Sequence, residues 1–395
     1  MRWEKSIVMN LDRFTSDLAD LESRGRRRRL IPRRIDGRFL VDDDGRRLLN
    51  FGSNDYLGFA LASATPSPST HAANNIAGST ASALVCGWTL QHHRLAESIA
   101  ALESTESAVL FPSGFAACSG TIATLAAPGD LILSDALNHA SLIDGCRLSK
   151  ADVVVYPHGD VAFVQQQLQQ TARAGQRVWI VTDSIFSMDG DIAPLADLVE
   201  VAQRYDADLI VDEAHGTGIF GQAGSGVVEM LGLKNEIAVR IGTLSKSIGA
   251  QGGFVAGPQA VIDYLINHCR PLIFSTSLSS GAVAAAQRSI DQIQSDPQPR
   301  VHVRRLSRRL REAIGQQCVP GDPAAEVPII AHIVGNDSAA TQASFELQQA
   351  GFYVPAIRPP TVPTGTARLR ISLSAIHTDE DVDHLASALA RLTKA

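Results

Sequence analysis

Seven short apolar runs constrain the fold of this 395-residue chain more than any other feature: 108–111, 131–133, 153–155, 178–181, 209–211, 237–239 and 253–256. They are continuous rather than alternating, the pattern of strands buried on both faces. Helix-like stretches lie between them at 115–127, 160–174, 194–205 and 258–268. Strands and helices in that order give a mostly parallel sheet covered by helices, so the expected fold class is α/β.

Five of the runs end in polar or glycine-rich segments: Ser113–Phe115, a segment holding His139, one holding Ser187, Asp212–His215 and Thr243–Lys246. In an open parallel sheet the carboxyl ends of the strands share one crevice, where ligands bind. One site explains five such endings better than five separate accidents. Lys246 stands in Gly-Thr-Leu-Ser-Lys-Ser-Ile-Gly, among small residues that would let a bulky carbonyl cofactor approach the backbone. Partial burial would free its amine for chemistry. Asp212 ends the run 209–211, and a carboxylate there can keep a pyridinium nitrogen protonated. Phe111-Pro-Ser-Gly-Phe115 reads as strand, tight turn and helix start, a place where backbone N–H groups bind phosphate.

Composition excludes several classes. A net charge of −6 argues against general nucleic-acid binding, and the one basic concentration, Arg26-Arg-Arg-Arg29, suits a solvated segment or an anionic substrate or carrier. The five cysteines are scattered without metal-ligand spacing, as expected of reduced thiols. The N-terminus lacks a signal-peptide pattern and no apolar run is long enough for a bilayer, so a cytoplasmic location is expected. A serine-hydrolase elbow, a Walker A loop and a Rossmann fingerprint are missing.

Three regions are expected along the chain. Residues 1–50 form an N-terminal arm helix over 4–24 and a hairpin over 38–51 that turns at Asp44-Gly45. Residues 51–285 form the large domain, with a helix over 92–105 and a low-complexity loop at 61–75. Residues 286–395 form a smaller α/β domain. In it a helical segment at 281–294 continues through 300–315, followed by strands near 327–333, 352–354 and 368–373 and helices at 338–350 and 378–393.

The motifs Asn54-Asp-Tyr-Leu-Gly58, Ser113-Gly-Phe-Ala-Ala117, Asn138-His-Ala-Ser141, Phe186-Ser-Met-Asp-Gly-Asp191, Val211-Asp-Glu-Ala-His-Gly-Thr-Gly218 and Thr243-Leu-Ser-Lys246 together resemble the α-oxoamine synthase family of fold-type I, pyridoxal phosphate (PLP)-dependent enzymes. The resemblance covers nearly the whole chain. It implies a large domain with a mostly parallel sheet and a smaller C-terminal α/β domain. It also implies that Lys246 carries PLP and acts as general base, that Asp212 pairs with the ring nitrogen and His215 with the ring hydroxyl, and that His139 stacks on the ring. Ser187 would touch the cofactor, and Gly114, Phe115 and Thr243 would hold its phosphate. Thr276 would reach the phosphate of a neighbouring subunit in a homodimer. Asn54 and His139 would line the substrate site. Ile357-Arg-Pro-Pro-Thr-Val-Pro363 resembles the alanine-using branch, in which Arg358 would hold the amino-acid carboxylate and Thr361 would line the pocket. An arginine of the basic cluster, assigned to Arg27, would meet the acyl substrate. The implied reaction condenses L-alanine with a pimeloyl thioester of CoA or of an acyl carrier protein, with loss of CO2. A sister acyltransferase using glycine and acetyl-CoA is the alternative. Ser279-Ser280 and Cys118 depart from the family's usual residues.

Overall fold

A computed structural model describes residues 10–62, 78–171 and 176–392. The chain divides into two compact units, one of residues 53–330 and 372–386, the other of 1–52, 331–371 and 387–395.

The first unit is built on a seven-stranded sheet. Its strands are β1 (Ser107–Phe111), β2 (Leu131–Asp135), β3 (Asp152–Tyr156), β4 (Val178–Asp183), β5 (Ala207–Asp212), β6 (Val239–Thr243) and β7 (Gly253–Gly257). The spatial order is β1-β7-β6-β5-β4-β2-β3. β2 through β6 run parallel, while β7 pairs antiparallel with both β1 and β6. Six of the seven apolar runs therefore lie within strands, while the run 237–239 leads into β6 and shares only Val239 with it. β2, β4, β6 and β7 are buried along their whole length, which is why their sequences show no alternation. Helices Gly114–Leu125, Gln259–His268 and Arg270–Ile273 share a core with the sheet, where Ile122, Ile262, Leu265 and Leu272 meet Val109, Ile210 and Val255.

Helices Leu90–Glu103, Leu195–Arg204 and Gln259–His268 lie where periodicity places them. Val161–Thr171 occupies most of the expected 160–174, whose last residues lie outside those described. The expected loop at 61–75 likewise falls outside the described residues, apart from the end of a short helix, Phe59–Ala62. One helix is not evident from the sequence. Ala140–Leu148 begins at His139, whose ring nitrogen accepts from the Ser141 N–H as an N-cap. The helical segment expected to run on from 281–294 through 300–315 is instead two helices, Ser280–Ser295 and Gln298–Ala313. Asp296 is extended (φ −131°) because it precedes Pro297, whose ring disfavours the helical conformation before it.

In the second unit a helix spans Asp12–Ser23, and the expected residues before Asn10 are not described. The expected hairpin pairs Phe39–Val41 with Arg47–Asn50, and Gly45 takes the left-handed conformation its turn requires (φ 77°). Arg34–Asp36 and Phe352–Tyr353 extend this sheet to four strands. A second sheet orders Ile329–Gly335, Ala367–Ser372 and Ala356–Ile357. Helix Asp337–Gln349 starts at Asn336, whose side chain accepts from the Ser338 and Ala339 N–H groups. Helix Asp379–Leu392, whose residues 379–386 belong to the first unit, ends the described chain.

Candidate active site

Parallel pairing places two acids side by side. Asp183 ends β4, Asp212 ends β5, and the two are register partners. Asp212 is buried, and its Oδ1 accepts from the Ala214 N–H at 2.8 Å while its Oδ2 lies 3.2 Å from the Cys118 thiol. Asp183 Oδ2 accepts the His139 N–H at 2.7 Å, so the acid fixes the backbone that carries His139. Asn138 completes the support. Its carbonyl accepts the Asp183 N–H at 3.0 Å, and its amide donates to the Val181 carbonyl at 2.8 Å. Burial, then the charge of Asp212, holds the Asp183 carboxyl well above the ordinary carboxylate range.

His139 is accessible to solvent but sits in a recess. Desolvation of the ring lowers its pKa, the charge of Asp212 opposes that, and Lys246 adds to it. Its Nδ1 meets the Ser141 hydroxyl at 2.7 Å, and Phe115 lies edge-on to it with ring centroids 6.5 Å apart. Lys246 is half-buried in the turn between β6 and β7, three residues beyond Thr243, and its charge acts on both His139 and Asp183. The buried ring of His215 meets the Tyr56 hydroxyl at 2.7 Å, and that hydroxyl also donates to the Asn54 side chain at 3.2 Å. Ser187 is half-buried in the loop after β4.

The N-terminus of helix Gly114–Leu125 forms a cradle. Ser113 caps it by accepting the Ala116 N–H at 3.1 Å, and the first turn's remaining N–H groups have no partner within the helix. A Cβ at Gly114 would lie 3.0 Å from the Thr243 hydroxyl, and one at Gly253 would lie 2.6 Å from the Ser113 carbonyl. Only glycines let strand and helix start come this close.

These donors fit PLP. Asp212 suits a pyridinium nitrogen, Lys246 an aldehyde carbon, His139 a ring face, and the Gly114–Thr243 cradle a phosphate. Among the described residues no group of three His, Cys, Asp or Glu could hold a metal ion.

Thr276 is exposed and forms an isolated bridge with Ser82. In the second unit, Arg26, Arg28, Ile357, Arg358 and Thr361 line a cavity of about 200 Å³. Arg28 donates to the Thr361 hydroxyl at 3.0 Å, and Arg358 donates to the Gly25 carbonyl and to the Thr341 hydroxyl. Arg27 pairs with Glu22 at 3.3 Å. Sequence reasoning passed over Asp183, Cys118 and Tyr56 as members of the site. Asp183 carried a signal, since it ends an apolar run as Asp212 does. Cys118 stood out only as a departure from the family's usual residue.

A family model for aminotransferase class I and II matches residues 46–389. An 8-amino-7-oxononanoate synthase of Lysinibacillus sphaericus is 42% identical over 97% of this chain and 98% of its own length. A serine palmitoyltransferase from S. paucimobilis, solved with bound PLP-myriocin, superposes with a TM-score of 0.87 at 28% identity and covers 97% of each chain. The crystal structure of 8-amino-7-oxononanoate synthase from Francisella tularensis gives 0.70 at 26% identity, covering 89% of this chain and 98% of the other. The chain is a member of the aminotransferase class I and II family, with the α/β fold of its PLP-dependent relatives.

Proposed function

We propose that this protein is a PLP-dependent acyltransferase that condenses L-alanine with a pimeloyl thioester and releases CO2 to give 8-amino-7-oxononanoate, a step in biotin synthesis. The observation that carries this reading is the placing of Asp212, His139 and Lys246 at or after the ends of the parallel strands β5, β2 and β6 of one sheet, with the charges of Asp212 and Lys246 both acting on His139, in a chain 42% identical over nearly its whole length to a synthase of that name.

PLP supplies an electron sink for the substrate's Cα. Asp212 keeps the ring nitrogen protonated, and buried hydrogen bonds hold the carboxylate in place for it. Lys246 would hold the cofactor and serve as the base for a proton at the substrate's Cα. His139, backed by the Ser141 hydroxyl, would cover one ring face. His215, oriented by Tyr56, faces the ring hydroxyl, and Ser187 adds a further contact. The N–H groups at Gly114 and Phe115 and the Thr243 hydroxyl bind the phosphate. Arg358 takes the amino-acid carboxylate. Asn54 and Thr361 line the substrate pocket, and the basic cluster around Arg27 meets the acyl donor, carried by CoA or by an acyl carrier protein.

The protein acts as a homodimer in the cytoplasm, with Thr276 reaching the partner's phosphate. Leu84, Val85, Leu90 and Phe274 support this, being 54, 77, 75 and 70% exposed on segments near the Ser82–Thr276 bridge. So many large apolar groups on neighbouring segments mark an interaction surface. No helix among the described residues is long and apolar enough to cross a membrane.

The test is an absorbance spectrum of the purified protein with PLP, followed by single amino acids. A visible band that shifts with L-alanine, and turnover of alanine with pimeloyl-CoA, supports the reading. A response to glycine or L-serine alone moves the function to a sister synthase. No visible band after PLP is supplied overturns it.

A further inference from the structure

The acid assigned to the cofactor's ring nitrogen has a neighbour with no role so far. Cys118 lies on the second turn of helix Gly114–Leu125, and that helix starts at the phosphate cradle. The thiol is buried (2% exposed), and its Sγ lies 3.2 Å from Asp212 Oδ2. Desolvation and the charge of Asp212 raise its pKa well above the ordinary thiol value, so the sulfur keeps its proton. A protonated thiol facing a carboxylate oxygen can act only as the donor. Ser141 also hydrogen-bonds Cys118, and the Ser141 hydroxyl is the group 2.7 Å from His139 Nδ1. A line of small polar groups therefore joins the residue over the ring to the residue at its nitrogen.

We propose that Cys118 is a positioning residue that sets the basicity of Asp212 by donating a weak hydrogen bond to Oδ2. This rests on the assignment of PLP to the site. A thiol withdraws less charge from a carboxylate than a hydroxyl or amide would. Asp212 therefore remains a strong partner for a ring N–H while still held in one orientation, its other oxygen being fixed by Ala214. The other ionisable groups whose charges reach this cluster are Asp183 on β4, Glu213 beside Asp212, His139 over the recess and Lys246 after β6. None of them changes in the variants below.

The experiment titrates the visible absorbance of the PLP-loaded protein, which follows the proton on the nitrogen shared by Lys246 and the cofactor. A ring held more firmly protonated lowers that nitrogen's proton affinity. Cys118→Ala removes the donor and leaves Asp212 more basic, so the midpoint falls by about 0.5 pH unit. Cys118→Ser offers a stronger donor of similar size, so the midpoint rises by a comparable amount. Displacement to opposite sides of the wild-type midpoint is the expected result. A shift of both variants in the same direction would mean that the thiol only fills space, and no shift in either would mean that it does not act on Asp212; each overturns the proposal. A wild-type protein that takes up no PLP overturns the proposed function instead, so the two failures are distinct. Thermal unfolding of each variant separates a lost fold from a moved midpoint.

Discussion

The strand-end cluster of the first unit and the arginine cavity of the second handle charge in opposite ways. Asp183, Asp212 and His215 are buried, and each is bound by neighbours fixed through sheet register or helix caps. Arg26, Arg28 and Arg358 reach their partners through long flexible stems: Asp337, Thr361, and the Gly25 carbonyl with Thr341. In the cluster a charge cannot reorient, so it can tune a bound group electronically. In the cavity an exposed charge is screened and movable, so it can hold an anion but does little to perturb its chemistry. On the proposed function, the difference would separate residues that carry out a reaction from residues that choose what reacts.

Substitutions can break that contrast. Lys246→Ala should reduce turnover by about 1,000-fold or more, measured as kcat, with little change in unfolding temperature. Near-normal turnover would remove Lys246 from the chemistry. Asp212→Ala should lower kcat by roughly 100-fold or more while PLP still binds by its phosphate.

A buried pair away from the site extends the contrast to stability. Arg240 and Glu103 are both 1% exposed, with Arg240 Nε 3.0 Å from Glu103 Oε2. Arg240→Ala should cost about 3–5 kcal/mol, read from denaturant unfolding, because it strands the acid. Burial pushes the Glu103 carboxyl up to about 7, against the charge of Arg240. The folded state thus binds a proton more tightly than the unfolded chain. The stability from this group should be fullest below the unfolded value near 4.5 and should be lost as pH rises through about 7.

His158 lies between these extremes, an exposed residue whose ring sits between Asp135 at 3.0 Å and Asp191 at 2.8 Å, with Phe186 edge-on to it. Burial opposes its charge, but the hydrogen bond and charge of Asp135, joined by Asp191, raise its pKa overall. Its contribution should be fully present below the ordinary histidine value of 6.5 and lost as pH rises through the raised one. His158→Ala should cost about 1–2 kcal/mol at pH 6 and less at pH 9, measured by urea unfolding. The smallest stability effect belongs to the cavity. Arg28→Ala should change stability by no more than about 0.5 kcal/mol yet raise KM for the acyl donor, measured in steady-state assays. A fall in kcat with unchanged KM would place Arg28 with the chemistry instead.

Much of the first unit was legible because its signals are local. Six continuous apolar runs name six strands, a seventh leads into another, and acids or glycines at their ends name the crevice. Asp212 and Lys246 could be picked out without knowing where either points. What escaped depends on pairing between distant segments. Asp183 matters because its strand lies in register with that of Asp212, and periodicity within one strand does not encode register with another. Cys118 reads as an ordinary small helix residue until the helix is packed on the sheet. Helix Ala140–Leu148 is short, and a histidine cap announces it poorly. The break at Pro297 was written in the chain, yet apolar periodicity on either side of it hid the interruption. Within the basic cluster the direction of each arginine is set by its surroundings, so identity alone does not separate Arg27, beside Glu22, from Arg26 and Arg28.

The close approach of Gly253 to the backbone at Ser113 and Gly114 has a consequence for the history open to this protein. The obstacle to any larger residue there is main chain, which no single compensating change elsewhere can trim. A library randomised at position 253 and selected for growth should return glycine almost alone. The cradle is thus a fixed point among the sequences this backbone can accept.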